Sequence, residues 1–101
     1  MKVQRVSQQE ARQFVILRKP FNAGNVKGMW VYDYSSMPVR AHEGDLADGL
    51  KQAVANGAVY VVTSYDVPVG FATLDGEVRI TETKWSQSTA QHTHLAAYLG
   101  H

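Results

Sequence analysis

Hydroxyl and imidazole side chains gather near one end of this 101-residue chain, in Ser86-Gln87-Ser88-Thr89-Ala90-Gln91-His92-Thr93-His94. Ser88 and His92 stand one helical turn apart, so a helix there would bring a hydroxyl beside a base, the arrangement of an activated nucleophile. The same hydroxyls are ordinary helix caps, and no Gly-x-Ser-x-Gly elbow, oxyanion-hole loop or orienting acid accompanies them. His92 and His94 point in different directions on a helix, and a tetrahedral metal site would need His42 or His101 as well. No cysteine is present, which removes thiolate chemistry, disulfides and zinc-finger sites. Glycines 24, 28, 44, 49 and 57 follow no phosphate-binding pattern. No catalytic residue, metal ligand or cofactor is therefore expected. His92 reads instead as a buried structural histidine bonded to a hydroxyl or a strand carbonyl.

Aromatic residues offer a second kind of chemistry. Trp30, Tyr32 and Tyr34, with Met37 close behind, occupy a turn-flanked segment of the composition enriched at protein interfaces. With Tyr60 and Tyr65 they could also stack nucleobases on a sheet. The net charge is only +1, however, so no basic stripe supports nucleic-acid binding. Nucleic acid is thus an unlikely partner on composition, and a protein surface the better one.

These residues need elements to position them. Val59-Tyr60-Val61-Val62-Thr63 has the β-branched and aromatic content of a strand, and Asp66-Val67-Pro68 is expected to end it. Asp75-Gly76 predicts a two-residue hairpin turn that pairs Leu74 with Glu77 and places Phe71 and Ile80 on one buried face. Val26 to Asp33 predicts a further strand, with Met29 and Val31 on one face and Trp30 and Tyr32 on the other. Phe21 to Asn25 reads as a loop, and Val39-Arg40-Ala41 as a short extension pairing back. Ser7-Gln8-Gln9-Glu10 is a capping box for a short helix with a stripe of Ala11, Phe14 and Val15, stopped by Pro20. Asp45 is expected to cap a second helix through Leu46, Leu50, Ala53 and Val54, ending at Asn56-Gly57, and Gly49 to permit a close approach. The third helix follows Trp85 and aligns Ser88, His92, Leu95, Ala96 and Leu99. The result is one domain, 1–101, of α+β class: an antiparallel sheet of about four strands, three of them a C-terminal meander, packed by two to three helices. Should the second and third helices share a sheet face, at least one of Trp30, Tyr32 and Tyr34 would stay exposed in the monomer. Met1 to Arg5 carries no apolar leader, and no run is long enough to span a membrane, so a cytoplasmic protein without membrane attachment is expected.

Two segments carry a resemblance. Val61-Val62-Thr63-Ser64-Tyr65-Asp66-Val67-Pro68-Val69, followed by Trp85-Ser86-Gln87-Ser88-Thr89 and His92, resembles a domain of unknown function found in small proteins of bacteriophages, mainly those of actinobacteria. Members show Val-Val-Tyr-Ser-Tyr-x-Thr-Pro-Ile and later aromatic-Ser-x-Thr-Thr-x-x-His. Here Thr63 stands in place of tyrosine, Val67 of threonine and Ser88 of threonine. Lys19 to Asn25 is also similar to the region upstream. The motif residues are thus Ser64, Tyr65, Pro68, Trp85, Ser86, Ser88, Thr89 and His92. The resemblance implies a phage origin and residence in the cytoplasm of the infected host, and it brings no activity with it. The expectation is a small non-catalytic phage protein that binds a host protein, or a second copy of itself, through Trp30, Tyr32, Tyr34 and Met37. The alternatives are a nucleic-acid or nucleotide-binding module and, third, a small hydrolase or metal-binding protein using His92.

Overall fold

The computed structural model describes residues 4–38, 40–82 and 87–100, and of Gln4, Gln8 and residues 87–91 only the backbone. Five strands run in meander order, each antiparallel to the next: β2 (Phe21–Ala23), β3 (Val26–Val31), β4 (Val59–Ser64), β5 (Val67–Thr73) and β6 (Val78–Ile80). A two-residue β1 (Gln4–Arg5) adds to β2 in parallel. The helices are α1 (Gln8–Leu17), α2 (Ala47–Ala55) and α3 (Gln87–Ala96), the last continuing into a 3₁₀ turn, Ala97–Gly100. The fold is α+β, with both faces of the sheet covered by helices.

The strand alternation divides the core in two, because successive side chains leave a strand on opposite sides. On one face Phe21, Val26, Tyr60 and Val62 meet Ala11 and Val15 of α1 and Leu95, Ala96 and Leu99 at the end of the chain. On the other, Val31, Val59, Val61 and Phe71 meet Leu46, Leu50 and Val54. α2 and α3 therefore lie on opposite faces, and the expectation that both could share one is corrected. β4 is buried at every position, as a central strand covered on both sides must be.

Local chemistry explains the elements. The capping box forms: Ser7 Oγ accepts from the Glu10 amide at 3.1 Å and the Glu10 carboxylate accepts from the Ser7 amide at 3.3 Å. α1 ends where Arg18 turns left-handed at φ 54°, with Lys19 donating back to the Phe14 carbonyl at 2.8 Å. Phe21 to Ala23 is a strand rather than a loop. Only Gly24-Asn25 turns, with Gly24 at φ 75°, and Phe21 and Ala23 are buried alternately.

Three local expectations change. The hairpin after β5 closes with Thr73 donating to the Glu77 carbonyl at 2.9 Å, so Leu74, Asp75 and Gly76 form a three-residue loop. Gly76 alone has positive φ, 97°, as a type I turn followed by a glycine bulge requires. The register slips by one: Phe71 opposes Arg79, Ile80 opposes Gly70, and Phe71 and Ile80 face opposite sides. Asp45 does not cap α2, which has Leu46 at that position without a side-chain cap. Its carboxylate instead accepts from the Thr81 hydroxyl and from the Glu82 amide at 2.8 Å, tying the approach to α2 onto the end of β6. Arg40 and Ala41 lie in turns, not in a strand, while Val39 is outside the described residues. Gly49 does permit a close approach, made by the Arg79 side chain, whose Nη1 would lie 2.7 Å from an added Cβ.

Candidate binding surface

The connection from β3 to α2 carries the two most exposed aromatics among the described residues, Tyr32 and Tyr34, and is the long excursion of the meander. Its first turn is rigid for its size. Asp33 caps a 3₁₀ turn, Tyr34–Ser36, accepting from the Ser35 hydroxyl at 2.6 Å and from the Ser36 amide at 3.2 Å. Ser36 Oγ in turn accepts from the amides of Tyr32 and Asp33. The Ser35 hydroxyl, with the Ser36 amide, holds the Asp33 carboxyl below its ordinary pKa of 3.8. Tyr34 reaches across to donate its hydroxyl to the Lys51 carbonyl of α2 at 3.3 Å.

A groove of about 360 Å³ results, walled by Tyr34, Met37, Pro38 and Ala41 on one side and Ala47 and Lys51 on the other. Farther along, Arg40 grips Glu43 through two bonds of 2.6 and 2.8 Å and donates to the Tyr65 carbonyl at 3.2 Å, which anchors this loop to the β4–β5 turn. That bond lowers the Glu43 pKa and raises that of Arg40. Tyr32 is 67% exposed and Tyr34 54%, while Met37 is half-buried in the groove.

Trp30 does not join them. It sits on the α1 face, its Nε1 donating to the Arg18 carbonyl at 2.8 Å and its ring meeting Tyr60 edge-on with centroids 5.5 Å apart. Tyr60 likewise donates to the Lys19 carbonyl at 2.7 Å, so the two aromatics hold the α1–β2 connection against the sheet. Burial pushes the Tyr60 hydroxyl pKa up.

Three of the motif residues, Ser64, Tyr65 and His92, come together on the α1–α3 face. Ser64 Oγ and His92 Nδ1 share a hydrogen bond of 2.6 Å, with Ser64 2% and His92 4% exposed, and the Tyr65 ring centroid lies 5.8 Å from that of His92. Burial lowers the His92 pKa from its ordinary 6.5. The expected hydroxyl partner of His92 is thus a strand serine twenty-eight residues away in sequence. Enclosure of both groups makes the pair a tie between β4 and α3.

Tyr65 and Asp66 make the β4–β5 turn, both left-handed at φ 51° and 68°. Neither is a glycine or an asparagine, so the letters signal a break at Asp66-Val67-Pro68 without marking the two residues that turn. Contacts hold it: the Tyr65 amide donates to the Asn25 carbonyl at 2.8 Å and Lys27 lies 3.8 Å from Asp66. Pro68 does not end a strand. It lies inside β5, where the pairing with β4 shifts register and beyond the last residue that β6 reaches, so its missing amide proton is tolerated.

Trp85 and Ser86 lie outside the described residues, as do the side chains of Ser88 and Thr89. The α3 helix begins at Gln87, so Ser88 is its second residue rather than its cap. His42 is exposed beside α2 and His94 is exposed on α3, and among the described residues no three His, Asp or Glu side chains are placed to hold a metal ion. Nor is any described helix long and apolar enough to cross a membrane.

No family model, no curated protein and no solved structure shows a significant match to this chain. The bacteriophage resemblance accordingly rests on its sequence segments alone.

Proposed function

We propose that this chain is a small non-catalytic binding protein, encoded by a bacteriophage and acting in the host cytoplasm, that docks on a host protein through Tyr32, Tyr34 and Met37. One observation carries the reading: two tyrosines more than half exposed stand on a turn that four hydrogen bonds of Asp33 and Ser36 hold in place, beside an open groove. Tyrosine supplies large contact area at low entropic cost, and a turn already ordered loses little more on binding. The Ser64–His92 pair supports the same reading by serving the fold. The net charge of only +1 does not favour nucleic acid.

The test is affinity capture from an actinobacterial host lysate. The same host protein should be recovered repeatedly, and a Tyr32→Ala/Tyr34→Ala variant should lose it while its unfolding free energy falls by no more than about 1.5 kcal/mol, the cost of the exposed bond from Tyr34 to Lys51. Recovery of nucleic acid with no specific protein would refute the proposal.

A further inference from the structure

The outer edge of the sheet at β6 has the features of a pairing site. Thr73 donates to the Glu77 carbonyl and Thr81 to the Val69 carbonyl, both at 2.9 Å, so residues 77, 79 and 81 turn their backbone groups inward to β5. The amides and carbonyls of Val78 and Ile80 consequently point outward, and no strand among the described residues meets them. The run contains no proline, and its exposed charges, Glu77 and Arg79, are of opposite sign, so they exclude pairing only in registers that set like charges opposite each other.

The edge is also flanked on both sides. Toward α2 lies a largely polar groove of about 410 Å³ with Asp45, Arg79 and Glu82 in its walls. Toward α3 lies a largely apolar one of about 540 Å³, walled by Ile80, Ala97 and Tyr98. A strand added here would send alternate side chains into each, and so must alternate charged with apolar residues. The run Glu77-Val78-Arg79-Ile80 has that alternation, with Val78 and Ile80 packed toward α3.

We infer that β6 pairs with β6 of a second copy, antiparallel across a two-fold axis at Val78. Val78 then makes the central hydrogen-bonded pair, Glu77 of each copy stands opposite Arg79 of the other, and the α3-side grooves adjoin. An axis at Arg79 would instead oppose two arginines, so charge selects the register. This surface is separate from the one around Tyr34, and neither proposal depends on the other.

Analytical ultracentrifugation of the full chain from micromolar to millimolar concentration tests it. A reversible dimer is expected. Arg79→Glu or Glu77→Arg alone should weaken it on the order of tenfold, and the two together should restore it. Val78→Pro should abolish it without removing a bond inside the sheet, because that amide points outward. Circular dichroism and unfolding midpoints establish that each variant is folded. A protein monomeric at every concentration overturns the inference, and so does a dimer that Val78→Pro leaves intact or that the reversed charge pair fails to restore.

Discussion

Gly28→Ala would place a methyl group where the sheet has no room for it. Gly28 lies in the interior of β3, between Phe21 of β2 and Val62 of β4. An added Cβ would lie 2.3 Å from one Phe21 ring atom and nearer still to Tyr60 Oη. Both neighbours are fully buried, and Tyr60 is held by its bond to the Lys19 carbonyl, so neither can yield cheaply. Overpacking costs about 1–3 kcal/mol. Displacing the Tyr60 hydroxyl adds about 1 kcal/mol for its hydrogen bond, giving a loss of about 2–4 kcal/mol. With total stability on the order of 5–15 kcal/mol, that is a large share. Urea unfolding followed by Trp30 and Trp85 fluorescence would read it as a fall in midpoint on the order of 2 M. Tyr60→Phe alone should cost about 1 kcal/mol, and combining it with Gly28→Ala should recover part of the strain by deleting the nearest oxygen. A Gly28→Ala protein within about 0.5 kcal/mol of the parent, or a strictly additive double variant, would refute the reasoning.

Four further outcomes follow from the same geometry. His92→Ala should lose about 1–3 kcal/mol with the buried bond to Ser64. Because burial depresses the folded His92 pKa, the unfolded chain binds the extra proton first: this contribution is full above pH 6.5, declines as pH falls toward the lowered folded value, and levels off below it. Thermal melts against pH should show that decline in the parent and lack it in His92→Gln. Gly76→Val should destabilise by about 1–2 kcal/mol through backbone strain alone, since nothing lies within 4 Å of an added Cβ, and an unchanged urea midpoint would count against the bulged turn. Arg18→Gly, at a left-handed helix end, should be neutral or stabilise by up to about 1 kcal/mol in the same assay.

Legibility followed the range of the interactions. The Ser7–Glu10 cap and the stripe of His92, Leu95, Ala96 and Leu99 depend on neighbours within a few turns, and their letters disclosed them. The sequence also predicts that at least one of Trp30, Tyr32 and Tyr34 is exposed, and Tyr32 and Tyr34 are, though for a different reason: α2 and α3 cover different faces, and the tyrosines lie past the end of β3. Trp30, one of the interface candidates, packs on the α1 face, and nothing local reveals that the carbonyl of Arg18 accepts from its indole. Asp45 looked like a cap for the same reason, its true partners being Thr81 and Glu82. Asp-Gly signals a turn without choosing between two- and three-residue loops, and one residue of difference moved Ile80 to the other side of the sheet. Asp66-Val67-Pro68 signals a break after β4 without marking the residues that turn: these are Tyr65 and Asp66, on which tertiary contacts impose a left-handed backbone that the residue types do not favour.

The two halves of the core differ in what they demand of the chain. The α2 side draws its buried apolar residues from positions 31 to 71, a nearly continuous stretch. The α1 side needs Ala11 and Val15 at one end and Leu95, Ala96 and Leu99 at the other. Closing the first joins segments within one stretch, positions 31 to 71, while closing the second joins the two ends of the chain, whose chain entropy must be overcome before any contact rewards it. During synthesis the α2 half can consolidate while α3 is still unmade, leaving Phe21, Tyr60 and Val62 without their last cover. The tie between Ser64 and His92 is thus a late clasp, and the step it completes is the one that gives the sheet its second dry face.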